Sequence, residues 1–266
     1  VYALMEKAAS VETETILFNI DAKSNTSYTS RDAILRVFKK VFDEHRGYYG
    51  DNTAISRMEK FLDDEGNFEA FKEKYEGLAN ESWVGNQSNF YFRGEEIIQS
   101  LAHASNMSVD GARNWYERVD QADDLTIESF AQEVKEFVDS KDNNFHLVFL
   151  VDEIGQYIGD NRNLMLNLQT VVESLGATSL GKVWVLVTSQ ESIDDVIKVK
   201  GDDFSRIQGR FDTRLSLSST SADEVIKKRI LDKKTAVAER LQAVYPEQGP
   251  ILNNLISFRD TPGNYR

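Results

Sequence analysis

The chain has 266 residues, 41% of them hydrophobic and 11% aromatic, enough to bury a substantial core as one large domain or two modest ones. It carries no cysteine, which excludes disulfides, thiolate metal sites and cysteine nucleophiles, and its three histidines (His45, His103, His146) lack metal-ligand spacing. A formal net charge of -13 disfavours nucleic-acid binding through bulk charge, and no apolar run in the sequence approaches the length that spans a bilayer.

The first residue is Val1, not Met, and no signal peptide opens the sequence; we expect a soluble, cytoplasmic fragment of something larger, with no membrane partner. Val1, Leu4, Met5 and Ala8 share one face of a helix that reads as a back half. Thr15 to Ile20 is a short apolar strand, and Asp21 to Ser30 a polar loop. A helix closely followed by a strand is half of a βαβ crossover, whose other half is expected upstream of Val1. From Arg31 to about Val138 the pattern is helical. Arg31 to Glu44 places Ile34, Leu35, Val37, Phe38, Val41 and Phe42 on one stripe, and further helices are expected at 57–62, 68–75, 97–104, 109–119 and 127–138. The last starts at Thr126 with Ser129 near its first turn, a signal short of the full capping box. Trp83, Trp115, Tyr91 and Phe92 are expected to pack between helices, a ligand platform being the alternative.

His146 to Glu153 is a run of five apolar residues ending in two adjacent carboxylates, the pattern of a buried parallel strand delivering acids to a sheet edge. Gly155 and Gly159 mark a loop, Leu164 to Leu175 is an amphipathic helix that Gly176 is placed to end, and Val183 to Val187 is a second apolar strand, ending in Thr188-Ser189-Gln190. A helix from Ser192 to Lys198, an arginine-rich stretch from Arg206 to Arg214 and a last strand at about Thr213 to Leu217 follow. Ser221-Ala222-Asp223-Glu224 then caps a long basic helix to about Leu241. Strands alternating with helices predict right-handed parallel βαβ units.

Ligands of open α/β sheets sit beyond the carboxyl ends of the strands, which makes Asp152 and Glu153 candidate site residues. The first carboxylate suits Mg²⁺ bridging terminal phosphates, and the second suits orienting or deprotonating a water. The same pair also suits a helix N-cap with an acidic first turn. Gly176-Ala177-Thr178-Ser179-Leu180-Gly181-Lys182-Val183 nearly matches the phosphate loop G-x-x-x-x-G-K-[ST], but it lies between a helix and a strand. A phosphate loop must leave a strand and open a helix, so that amides point at the phosphates. Val183 also has no hydroxyl for the metal. No other match exists in the chain.

With the acidic strand, the polar-ended next strand and the arginine segment in this order, the chain resembles the AAA+ branch of P-loop ATPases. The stretch from Asp152-Glu153-Ile154-Gly155-Gln156-Tyr157-Ile158-Gly159-Asp160, through Leu166-Asn167-Leu168-Gln169-Thr170, to Lys182-Val183-Trp184-Val185 and Thr188-Ser189-Gln190-Glu191 resembles the ATPase component of bacterial BREX phage-defence systems, the BrxC/PglY family. The resemblance implies an α/β fold with a parallel-sheet P-loop NTPase (AAA+-like) core, incomplete at the N-terminus, and a large α-helical insertion. The implied parts are core at 1–30, insertion at 31–140, core with Walker B, sensor 1 and arginine-finger segments at 141–220, and a lid or C-terminal helical region at 221–266. It also implies that Asp152 is the Walker B acid associated with Mg²⁺ through water, and Glu153 the catalytic glutamate. Ser189, or its neighbour Thr188, then stands at sensor 1, simple helix capping being the alternative. Arg206 and Arg210 stand where arginine fingers reach a neighbouring subunit's nucleotide, although surface arginines are ordinary.

Without a Walker A loop, ATP and Mg²⁺ are expected to serve the parent protein, and this fragment is expected neither to bind them tightly nor to hydrolyse ATP. The implied partners are other BREX components and further copies in a homo-oligomer, with DNA reached through the complex. Two alternatives stand beside this reading. One is a non-catalytic scaffold or adaptor whose helical insertion binds protein. The other is an initiator-like DNA-binding module using Lys227, Lys228, Arg229, Lys233, Lys234 and Arg240, a run that otherwise forms a solvated helix face.

Overall fold

The computed structural model describes residues 2–24, 32–119, 125–159, 161–189, 213, 215, 226 and 234–255. It divides into two compact units, Val1–Phe211 and Asp212–Arg266. The first is mostly helical around a small three-stranded sheet, an α/β arrangement. The strands β1 (Thr13–Asn19), β2 (His146–Asp152) and β3 (Val183–Val187) lie in that order, all parallel. The register pairs Ile16 with Phe149 and Asn19 with Asp152, and sets Leu150 between Leu17 and Leu186.

Side chains alternate across a strand, so Ile16, Phe18, Leu147, Phe149, Val151 and Val183 all point to one face and are buried there. Three helices cover that face: α3 (Ala33–His45), α8 (Ile127–Asp139) and α10 (Arg162–Thr178). Phe38 on the predicted stripe of α3 meets Phe18 edge-on, with ring centroids 5.5 Å apart, and Phe149 at 5.2 Å. The Leu35 amide donates to Asn167 Oδ1 at 3.1 Å, a buried bond tying α3 to α10. Shorter helices complete the unit. These are α1 (Tyr2–Ala9), α2 (Ile20–Lys23), α9 (Ile154–Ile158) and the module α4 (Thr53–Asp64), α5 (Phe68–Ala79), α6 (Gly94–Ser105) and α7 (Val109–Arg118).

The helical module has a core of its own. Trp83 stands edge-on to Phe71 and Tyr75, with centroids 5.0 and 5.1 Å away, and its indole N–H donates to buried Glu59 at 2.7 Å. Glu59 also accepts from the Tyr49 amide at 2.5 Å, and burial raises its carboxyl above the ordinary value. Of the expected interhelical aromatics, Trp83 and Trp115 pack in this core, but Tyr91 is exposed and Phe92 is 87% exposed. The reason is the 3₁₀ turn Gln87–Phe92, whose three-residue repeat turns Gln87 and Phe90 inward and leaves their neighbours outside.

A polar cluster links α3 to α8 and, through Arg46, Tyr48 and Asp63, to α4. Lys39 Nζ bonds Asp43 at 2.5 Å and Glu133 at 3.2 Å, and Arg46 reaches Glu133 at 3.1 Å. Asp43 is buried and its Oδ2 has no hydrogen-bond partner, so burial lifts its carboxyl above the ordinary value despite Lys39.

Several local expectations are corrected. Gly176 does not end α10, which runs to Thr178; the chain turns instead at Leu180 (φ +51°) and Gly181 (φ +84°), beyond the buried anchor Leu175. Gly155 lies inside α9 rather than in a loop, and Gly159 (φ +46°) ends that helix. The N-terminus of α8 has a full capping box after all, because the Ser129 hydroxyl accepts from the Thr126 amide as a Glu or Gln would. In the second unit α11 (Thr235–Leu255) continues past the expected end at Leu241, through Pro246 and Pro250. Most of the strand expected at 213–217 and the helix expected at 192–198 lie outside the described residues, as does the start of the basic helix. Among the described residues no helix is long and apolar enough to cross a membrane.

The two raised carboxyls set a pH dependence. A group that holds its proton more tightly when folded contributes stability that is complete below its unfolded value and lost as pH climbs through the folded one. The contribution of Asp43 and Glu59 to stability is therefore expected to decline as pH rises above about 4, and Asp43→Asn to flatten that decline. Urea midpoints across the range check this, and an unchanged slope in the variant would contradict it.

Candidate functional site

The three strands end together, and each end contributes a polar residue. Asn19 closes β1, Asp152 closes β2 opposite it, and Thr188 follows β3. Thr188 grips the turn after β2 through four hydrogen bonds. Its amide donates to Val151 O at 2.9 Å, its carbonyl accepts from the Ile154 amide at 3.1 Å, its hydroxyl accepts from the Glu153 amide at 3.2 Å, and the same hydroxyl donates to Asp152 Oδ1 at 2.5 Å. The first two extend the β2–β3 ladder by one step. The hydroxyl pair then orients the carboxylate.

The grip bends the backbone sharply. Glu153 takes a left-handed conformation, φ +59° and ψ +30°, which costs a non-glycine residue about 1 kcal/mol. It occupies the N-cap position of α9, yet its side chain makes no cap hydrogen bond. The carboxylate turns across the sheet edge, where Asn19 Nδ2 donates to Glu153 Oε2 at 2.8 Å. The Asn19 amide is itself oriented, because Oδ1 accepts from the Ala22 amide at 3.0 Å and caps α2. Tyr157 of α9 shares a 2.7 Å hydrogen bond with Ser24 beyond α2, bracing the same corner.

Ser189 comes next. Its Oγ is buried and without a hydrogen-bond partner, and it lies so close to Gly155 that a Cβ there would collide with it. The strap leaving β3 and the first turn of α9 thus approach closely because position 155 has no side chain.

Of the residues expected from sequence, Asp152, Glu153, Thr188 and Ser189 gather at this edge. Arg206 and Arg210 lie outside the described residues. The capping alternative for the acids holds in position only, since Glu153 is the N-cap residue of α9 but makes no side-chain cap bond, and the helix that Ser189 or Thr188 would cap lies outside the described residues. Sequence reading does not single out Asn19 or Gly155. The signal for Asn19 is a polar residue closing an otherwise apolar strand. Gly155 carries none, since its neighbour in space is 34 positions away in the chain.

The edge offers an exposed carboxylate on Asp152, a second carboxylate held by an amide, and the Thr188 hydroxyl, whereas the Ser189 Oγ is buried against Gly155. Such an oxygen-rich set suits a hard divalent cation that shares its remaining positions with water and phosphate.

The Gly155–Ser189 contact is open to test. Gly155→Ala is expected to destabilise the chain by about 1–3 kcal/mol through overpacking, and Ser189→Ala added to it to restore most of the loss. Urea unfolding of the two single variants and the double variant measures the coupling.

Compared with known proteins, the chain matches no protein-family model, and no solved structure matches it.

Proposed function

We propose that this chain belongs to an ATPase of the BREX phage-defence type, and that it supplies the acids, sensor and arginine fingers of a nucleotide site. The observation that carries the reading is the convergence of Asn19, Asp152 with Glu153, and Thr188 with Ser189 from three parallel strand ends onto one edge. Carboxyl ends of parallel strands are where α/β sheets hold nucleotides.

In this reading Asp152 holds Mg²⁺ through water, with the carboxylate aimed by the Thr188 hydroxyl. Bound there with ATP, Mg²⁺ neutralises charge on the terminal phosphates. Glu153 orients the attacking water and takes its proton as ATP and water become ADP and phosphate. Asn19 holds that carboxylate at one oxygen, so Glu153 acts when this bond yields or turns. Ser189 is the hydroxyl assigned to the terminal phosphate, a role that requires its buried Oγ to turn away from Gly155. Arg206 and Arg210 serve a neighbouring copy, which makes the working form a homo-oligomer among other defence components, with DNA contacted through the complex. The phosphate-binding loop is not among these 266 residues, so nucleotide affinity of the chain alone is weak. A non-catalytic scaffold is the second reading, favoured by that same lack of a phosphate loop.

Calorimetry with Mg²⁺-ATP separates them, comparing the chain with a form extended upstream by one strand-loop-helix unit of roughly 30–60 residues. Binding is expected in the extended form, with Glu153→Gln retaining it and lowering hydrolysis at least about a hundredfold. No binding in either form would sink the ATPase reading and leave the scaffold.

A further inference from the structure

Helix α11 buries little of its own surface. From Val237 to Pro250 every residue is exposed except Ala238, which is half-buried, and Gly249. Helices in proteins owe most of their stability to an apolar side packed against something, and this one also carries Pro246, Gly249 and Pro250, residue types that disfavour helix. A helix of that composition needs a partner.

The spacing of its apolar residues selects the kind of partner. Val237, Leu241, Val244 and Gln248 follow one another at intervals of four, three and four, the alternation that forms the seam of a supercoiled helix pair. Val237 is 51% exposed, and Leu241 and Val244 are 46% each. In the sequence the same spacing continues to Ile251 and Leu255. Pro246 and Pro250 fall on the opposite side of the helix, so the carbonyls they leave without an amide face away from the seam.

The flanks of the seam select the orientation. Arg240 and Glu247, one heptad apart, lie on one flank, and the exposed Tyr245 lies on the other. Antiparallel packing against an identical helix sets like flank beside like flank, whereas parallel packing sets opposite flanks together. In the antiparallel register that layers Leu241 on Val244 of a second copy, Arg240 comes beside Glu247 of that copy, and two-fold symmetry repeats the pair. A parallel pair puts Arg240 beside Tyr245 and keeps the opposite charges apart.

We infer that α11 is a homodimer contact, in which two copies of the chain pack this helix antiparallel through Val237, Leu241 and Val244, with Arg240 of each copy against Glu247 of the other. The contact is isologous and closes on itself, so it makes a pair rather than a filament. It rests on this helix alone and is independent of the nucleotide reading, whose arginines serve a different contact.

Sedimentation equilibrium of the full chain over a concentration series tests it. A monomer–dimer equilibrium is expected, and Leu241→Asp is expected to abolish it. Glu247→Arg sets arginine beside arginine twice and is expected to raise the dimer dissociation constant at least about tenfold, and Arg240→Glu added to it is expected to restore the original value. All three positions are exposed, and the fluorescence of Trp83, Trp115 and Trp184 verifies that each variant keeps the fold of the first unit. A monomer at every concentration overturns the inference. So does a dimer that is indifferent to the single charge reversal, or one that the double reversal fails to restore.

Discussion

The in-register pairing of β2 with a neighbour on each side is the constraint on which the rest of the first unit depends. A parallel strand flanked on both sides has its backbone donors and acceptors spoken for, so its position along its neighbours is set. Once Ile16 and Val185 lie beside Phe149, Asn19 and Thr188 must arrive beside Asp152. Thr188 then closes the arrangement by bonding the next turn of chain through both backbone and hydroxyl. The left-handed Glu153 follows from that closure, and its strain is offset by hydrogen bonds from its own amide and from that of Ile154.

The same sheet explains how two cores coexist. Helices α3, α8 and α10 use their apolar sides on the sheet, which leaves their remaining surface polar. The module of α4 to α7 therefore closes around Trp83, Phe71 and Tyr75 and meets the sheet unit through charge. Arg46 bonds the Tyr48 hydroxyl, which donates to Asp63 of α4, and Lys39, Asp43 and Glu133 complete the cluster on the sheet side. Burying carboxylates there costs stability at neutral pH, because one oxygen of Asp43 goes without a donor.

Much of the architecture is legible in the sequence because it rests on short-range pattern. The apolar runs at 146–151 and 183–187 become strands, and the stripe on α3 from Ile34 to Phe42 becomes its buried side. Where reading fails, the deciding partner is remote or chemically unusual. Ser129 closes a capping box with a hydroxyl where a longer side chain is the familiar signal. Gly176 remains helical since Val171 and Leu175 anchor that turn in the core. Tyr91 and Phe92 look like core residues by type, and a 3₁₀ repeat turns them outward.

For the site, the sequence by itself determined which groups are available: two acids ending one strand, hydroxyls ending another, and no cysteine. Those are local facts of composition and order. The tertiary structure decided which groups meet. Asn19 is 134 positions from Glu153 and Thr188 is 36 from Asp152, and sheet register brings each within hydrogen-bond distance. It also decided that position 155 must be glycine, since the collision there is with a side chain from another strand's end. Sequence periodicity reports which face of an element is apolar, whereas packing selects the partner through shape and hydrogen bonding between residues far apart in the chain.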